Sequence, residues 1–201
     1  MSTDTTYGPQ RALLVVDMQN DFADPEGSLH VSGGEAIVDV VNENIRAARD
    51  AGATVVLTQD WHPTETPHFT KDGGTWPVHC VRDTWGAALH PDLDQEADLI
   101  IRKGTGGEDG YSAFTLVDPD TEKKRPTGLA GYLGERGVNS VVVVGLAADV
   151  CVKATALDAR DLELDCTVLW DATRPVEMEA GDGARAADEM TNAGVEVMDA
   201  S

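Results

Sequence analysis

The cysteine best placed to act as a nucleophile is Cys151, which follows the residues GLAAD (145–149) and opens a predicted helix. A thiol at a helix N-terminus lies near the partial positive charge of unpaired amides, which favours the thiolate. The exposed amides of such a turn can also donate hydrogen bonds to a developing oxyanion. Position alone leaves a purely structural role for this small residue equally open.

A second group of chemically able side chains begins with Asp60-Trp61-His62, and four of the five histidines lie between residues 60 and 90. Asp60 and His62 are two apart on an extended segment, so their side chains project in the same direction. A later histidine, His68 or His79, can close the site. Carboxylate and imidazole ligands suit zinc, iron or manganese. A lone histidine is usually structural, so from spacing alone the metal interpretation and the structural one both remain open.

The elements that must position these residues alternate between apolar strands and helices of ten or more residues, which implies parallel pairing with right-handed crossovers. We therefore predict an α/β fold, an open, mostly parallel six-stranded sheet with helices on both faces. The predicted strands span residues 11–17, 54–60, 99–103, 140–145, 165–170 and 195–198, and the predicted helices span residues 34–52, 127–136, 149–162 and 180–192. No repeat or linker interrupts this order, which predicts a single domain over residues 1–201.

Ligands of open parallel sheets bind beyond the carboxyl ends of the strands. Asp17, Asp60, Lys103, Cys151 and Asp171 follow or end five of the predicted strands. A lysine near the cysteine would favour its thiolate further, and a carboxylate there could accept the thiol proton, giving the nucleophile–base pair of covalent catalysis. Two long segments, 61–98 and 104–126, interrupt the alternation of strands and helices. Long loops in a compact domain are usually functional or disordered.

The composition excludes several classes of partner and site. The formal charge is −21, from 36 acids against 15 bases, so nucleic acid and anionic membranes are repelled. An acidic surface with few lysines suggests a cytoplasm rich in salt, because salt screens the self-repulsion. Three cysteines and a polar N-terminus argue against a disulfide framework and a signal peptide. No apolar run approaches eighteen residues, and we predict a cytoplasmic protein.

The order of the motifs resembles that of nicotinamidases (pyrazinamidases), within the isochorismatase-like cysteine hydrolases. The similarity extends from Leu13 to about Val197 and is specific because the segments occur together. These segments are LLVVDMQNDF (13–22), TQDWHP (58–63), HF (68–69), WPVHC (76–80), KGTGGEDGYSAF (103–114) and VVGLAADVCV (143–152).

The resemblance assigns a role to each matching residue. It implies that Cys151 is the nucleophile, that Asp17 is the general acid and base, and that Lys103 completes the triad. It implies a cis peptide at Leu146–Ala147, with the amides of Ala147 and Cys151 as oxyanion hole. One divalent ion, zinc with iron or manganese as alternatives, is expected on its ligands. The implied ligands are Asp60, His62 and His79, with His68 as a further ligand in some members, and the implied ring-binding residues are Phe22, Trp76 and Tyr111.

The implied reaction is hydrolysis of nicotinamide to nicotinate and ammonia through a cysteine thioester, with pyrazinamide as a second substrate and the ion anchoring the pyridine nitrogen. A related carbamoyl or ureido amidohydrolase is the main alternative, although such enzymes generally lack the Asp60, His62 and His79 set. Isochorismatases proper lack the cysteine. A non-catalytic metal-binding protein is a further alternative, and a homo-oligomer is possible in this family.

Overall fold

The computed structural model describes residues 7–108, 110–118 and 121–199. Within them the strands are β1 (Arg11–Val16), β2 (Thr54–Asp60), β3 (Leu99–Lys103), β4 (Thr115–Val117), β5 (Lys124–Pro126), β6 (Ser140–Leu146), β7 (Asp165–Arg174) and β8 (Glu196–Met198). The helices are α1 (Asn20–Ala23), α2 (Val38–Asp50), α3 (Leu129–Glu135), α4 (Lys153–Asp161) and α5 (Asp182–Asn192). Residues 1–6, which belong to the polar N-terminus, lie outside the described residues. So does Asp109 of the 103–114 motif. Both ends of the predicted 1–201 domain therefore lie outside them as well.

Six strands form one parallel sheet in the order β3-β2-β1-β6-β7-β8. The chain builds outward from β1 to β3, then crosses to the other side of β1 and builds outward again to β8. The order therefore reverses between β1 and β6, and the crevice beyond their carboxyl ends is the place where such sheets bind ligands. The α/β prediction is confirmed.

The central strands are apolar on both sides because helices cover both faces of the sheet. In β1, Leu13 and Val15 pack in a cluster with α2, whereas Leu14 and Val16 pack in a second cluster with α3, α4 and α5. Every residue of β2 and β6 is buried. This two-sided burial explains why the strands read as continuous apolar runs rather than as alternating patterns.

Some predicted boundaries are wrong, and one of them affects the site. The fifth sheet strand was predicted to end at residue 170, which made Asp171 a strand-end candidate. In the structure β7 continues to Arg174, so Asp171 lies inside the strand. The pairing of β6 with β7 shifts register between Val143 and Gly145, and a shift of this kind cannot be foreseen from apolar periodicity.

The two long segments are folded on themselves. In segment 61–98, bridges join His62 to Val81 and Phe69 to Trp76, and a short 3₁₀ turn forms at Thr70–Asp72. Segment 104–126 contains the antiparallel hairpin of β4 and β5, which the sequence analysis did not predict. Among the described residues, no helix is long and apolar enough to cross a membrane.

Candidate active site

The buried ion pair between Lys103 and Asp17 joins two strands that are not neighbours. Lys103 ends β3 and Asp17 follows β1, with β2 between them. The Lys103 Nζ lies 2.7 Å from Asp17 Oδ2 and 3.0 Å from Asp60 Oδ1, and it donates to the Tyr111 carbonyl at 3.2 Å. One ammonium thus bridges two carboxylates. This contact unites three of the strand-end residues that the sequence predicted.

Asp17 is fully buried and is held in an uncommon backbone conformation, with φ at 47°. Its N–H donates to Thr58 Oγ1 at 3.1 Å, and the Thr58 hydroxyl donates to Asp17 Oδ1 at 2.5 Å. Burial raises the pKa of Asp17, and the adjacent Lys103 offsets part of that rise. Sequence reasoning missed Thr58, whose only signal is a hydroxyl within a buried strand.

Cys151 lies in a wide turn, Ala148–Val152, that precedes α4. The Val152 N–H donates to the Ala147 carbonyl, five residues back, at 3.0 Å, and wide turns of this kind are frequent at functional sites. The Leu146–Ala147 peptide is cis, as the resemblance predicted. The thiol lies close to Asp17 and Asp60: one ligand atom from each of the three residues lies within 4.8 Å of the others.

Burial and the nearby carboxylates oppose the effect by which a helix start favours the Cys151 thiolate. Burial raises the pKa of Cys151 well above its usual value, and Asp17 and Asp60 raise it further, although Lys103 lowers it. The two carboxylates that Lys103 contacts oppose its effect on the sulfur. A nucleophilic role for this thiol would therefore need a base that accepts its proton.

Three histidines converge beside Asp60. One ring nitrogen from each of His62, His68 and His79 lies within 4.8 Å of the others. The Nε2 atoms of His62 and His79 lie 3.6 and 3.8 Å from Asp60 Oδ2. Burial raises the pKa of Asp60, but Lys103 and the two histidines outweigh it, and the net pKa is well below its usual range.

These residues fit a divalent ion. Both ring nitrogens of His62 are buried without a hydrogen-bond partner among the described residues, an arrangement that is costly unless another ligand satisfies them. The His79 Nδ1 lies 2.7 Å from the Pro77 carbonyl. A carbonyl only accepts, so Nδ1 is the donor, and in the neutral ring Nε2 has the lone pair that a metal ligand needs. Nitrogen and carboxylate ligands of this kind suit zinc and similar ions.

The aromatic residues singled out by the resemblance line a common cavity with Cys151. Trp76 Nε1 donates to the Tyr111 hydroxyl at 2.9 Å, which joins two of the three rings. The lining also includes four apolar residues, Leu29, Leu146, Val150 and Val176, which could not be singled out as lining residues from the sequence because their side chains have no reactive or ligating group. The full lining is Phe22, Leu29, Asp60, His68, Trp76, His79, Tyr111, Leu146, Ala147, Val150, Cys151 and Val176.

Gly104, directly after Lys103, leaves room for the His62 ring. Its φ is 68°, and a Cβ built there would lie 2.5 Å from both Cε1 and Nδ1 of His62. We expect Gly104→Ala to displace the imidazole and to weaken divalent-ion binding by about tenfold or more. Ion titration measures this. The control is Gly131→Ala in α3, where a Cβ meets nothing within 4 Å; equal affinity in both variants contradicts the prediction.

Comparison with known proteins defines the class. The family model for the isochorismatase domain matches residues 11–201, so the chain belongs to the isochorismatase domain family. A nicotinamidase of Acinetobacter baylyi is 41% identical over 203 residues, covering 92% of this chain and 90% of the relative.

Two solved structures are similar throughout. PnC1 from L. infantum in complex with nicotinate has a TM-score of 0.87 and 39% identity, with 97% of this chain and 96% of that chain covered. The pyrazinamidase of Pyrococcus horikoshii in complex with zinc has a TM-score of 0.83 and 39% identity, with 96% and 100% covered.

Proposed function

We propose that the protein is a nicotinamidase, an amidohydrolase that converts nicotinamide to nicotinate and ammonia and also accepts pyrazinamide. One observation carries this proposal: the Cys151 thiol and two histidines, His68 and His79, line one cavity with aromatic walls, and the Asp17 carboxylate lies within 4.8 Å of the thiol. The similarity to a nicotinamidase and to a structure that contains nicotinate supports the same reaction.

Asp17 acts first as the base. The pKa of Asp17 is raised, so it lies closer to the pKa of a thiol than the pKa of an ordinary carboxyl does. This smaller difference favours transfer of the Cys151 proton. The sulfur attacks the amide carbonyl, and the backbone amides of Ala147 and Cys151 bind the oxyanion. Asp17 then returns the proton to the departing ammonia. A water molecule, deprotonated by Asp17, attacks the thioester, the carboxylic acid leaves, and Asp17 returns the proton to the Cys151 sulfur.

Lys103 keeps the charges of the site in place during these steps. Its ammonium contacts both carboxylates, so it stabilises Asp17 as the anion that the base step requires. Its own pKa is raised well above the usual value, because Asp17 and Asp60 outweigh the effect of burial. Lys103 therefore remains charged throughout and does not exchange the proton itself.

Asp60, His62, His68 and His79 would hold one divalent ion, which we propose to be zinc. When bound, this ion supplies a Lewis acid for a pyridine nitrogen, which orients the ring with its carboxamide toward Cys151. Phe22, Trp76 and Tyr111 provide flat apolar surfaces on which a planar ring packs. These aromatic side chains and the histidine cluster together favour a pyridine carboxamide over a ureido compound, which offers no aromatic ring.

The test is ammonia release by ion-loaded protein from nicotinamide, pyrazinamide and a ureido acid in parallel. We expect hydrolysis of both aromatic amides and little of the ureido compound. Preference for the ureido compound would replace the proposal with the alternative amidohydrolase, and no ammonia from any of them would favour a non-catalytic ion-binding protein.

We also propose that the protein is adapted to high salt, on the basis of its formal charge of −21. The Debye length falls from about 10 Å at 0.1 M to about 3 Å at 1 M salt, so molar salt screens neighbouring side chains from one another. We expect the melting midpoint and the activity to rise between dilute buffer and molar potassium chloride. Thermal melts across a chloride series measure this, and a midpoint that stays constant or falls contradicts the proposal.

A further inference from the structure

The side chain of Gln19, two residues after Asp17, is bonded to the backbone of Asp60. Its Oε1 accepts the Asp60 N–H at 2.7 Å, and its Nε2 donates to the Asp60 carbonyl at 2.8 Å. The Nε2 also donates to the Ala87 carbonyl at 2.9 Å. The buried amide thus pairs with both polar groups of Asp60, as a neighbouring strand would, at the point where β2 ends.

The side chain of Asp21, two residues further on, is bonded to the segment that carries His79. Its Oδ2 accepts the Cys80 N–H at 2.7 Å, and its Oδ1 accepts the Ser28 N–H at 3.0 Å. Cys80 has a φ of 44°, a conformation that is unfavourable in a non-glycine residue. A charge-assisted hydrogen bond to its amide helps to maintain that conformation directly after His79.

We propose that Gln19 and Asp21 are positioning residues that hold the backbone of Asp60 and His79 in fixed register with Asp17. The inference rests on the proposed function, because it assumes that Asp60 and His79 bind the ion. One short segment then carries the base and fixes two ligands of the ion.

The distances around Asp60 explain why its backbone must be fixed. Oδ1 lies 3.0 Å from the Lys103 Nζ, whereas Oδ2 lies 3.6 and 3.8 Å from the histidine nitrogens. A displacement of about 1 Å at the end of β2 would therefore disturb the lysine contact and the ligand set together. Loss of a group that orients a metal ligand typically weakens metal affinity about 10–100-fold.

The chain offers a matched control for Gln19. Gln59 is also buried, and its Nε2 donates to the same Ala87 carbonyl at 3.0 Å. Its Oε1 accepts from Arg102 rather than from Asp60. Gln19→Met and Gln59→Met therefore both remove a buried amide and a bond to Ala87, but only Gln19→Met releases Asp60.

The experiment is a competition titration of Zn²⁺ against a chromophoric chelator, with the visible spectrum of bound Co²⁺ as a second measurement. We expect Gln19→Met to raise the Kd about 10–100-fold and to alter the Co²⁺ bands. Gln59→Met should bind within about threefold of wild type, since the orienting contacts of the ligands are intact. Asp21→Asn, which places an amide donor or a weaker acceptor against the Cys80 and Ser28 amides, should also raise the Kd.

Each outcome decides one question. Wild-type affinity in both Gln19→Met and Asp21→Asn overturns the inference, and so does an equal loss in Gln59→Met. If Gln19→Met lacks a cooperative thermal transition, Asp21→Asn compared with Gln59→Met decides it. Wild-type protein that binds no ion removes the proposed ion site and this inference with it. Wild-type protein that binds the ion but releases no ammonia contradicts the proposed reaction alone.

Discussion

Replacement of Cys151 by alanine is expected to abolish hydrolysis, with kcat at least about 10⁴-fold lower, because the covalent route then has no nucleophile. The variant should fold normally, since alanine fits the space of the small buried thiol. Ammonia release from nicotinamide measures the loss. After treatment with an electrophilic nicotinamide analogue, mass spectrometry should locate the adduct on Cys151.

The other two cysteines are the controls. Cys80 and Cys166 are also buried and free, and burial raises the pKa of Cys166 to about 12. Cys166 begins the covered part of β7, away from the cavity lining. Cys80→Ala and Cys166→Ala should retain the thiol chemistry. An adduct on either of them, or full activity in Cys151→Ala, would show that the nucleophile has been assigned to the wrong residue.

Replacement of Lys103 by methionine is expected to have the second largest effect, on stability as well as on activity. Methionine has a similar shape but leaves Asp17 and Asp60 buried without their common counter-ion. Removal of one partner from a buried ion pair typically costs about 3–5 kcal/mol. Activity should fall as well, because Asp17 without its counter-ion retains a proton more readily at neutral pH and then cannot accept the proton of Cys151.

The stability deficit of Lys103→Met should depend on pH in a defined direction. Without the ammonium, the effect of burial on Asp17 is no longer offset by a positive charge, so its folded-state pKa rises further above the unfolded value and the folded state binds more protons. Stability then falls as pH rises through that folded pKa, and the deficit is largest at neutral pH and smaller in acid. Urea unfolding of both proteins at several pH values measures this.

Lys153→Met is the matched control, because the Lys153 Nζ lies 2.9 Å from Glu189 in a solvent-accessible pair. Loss of such a pair costs about 0–1 kcal/mol. If Lys103→Met is no less stable than this control, the buried ammonium does not stabilise the fold as the counter-ion of Asp17 and Asp60.

The sheet and the residues at its strand ends could be predicted from the sequence because burial on both faces produces two signals, the apolar run and the polar residue that ends it. Strands covered on both faces are apolar throughout, so the polar residue at which each run stops marks the carboxyl end. Asp17 and Asp60 were found in this way. Lys103 ends β3, a partly exposed edge strand, and the structure brings it into contact with both carboxylates.

The remaining features depend on tertiary contacts that have no local signal. Gln19 reads as one more polar residue after a strand, and only the folded chain shows that its amide is bonded to Asp60. The direction of the Cys151 pKa could not be predicted either. Helix position favours the thiolate, whereas the opposing effects of burial and two nearby carboxylates exist only after folding.

The division of the cavity between strand ends and connections has an evolutionary consequence. The reacting groups are attached to the ends of a sheet whose central strands are buried, so most substitutions near them disturb the core. Trp76, Tyr111 and Val176 belong instead to the connecting segments, where sequence change is better tolerated. Relatives that keep the cysteine can therefore diverge in the amide they accept while the groups at the strand ends stay the same.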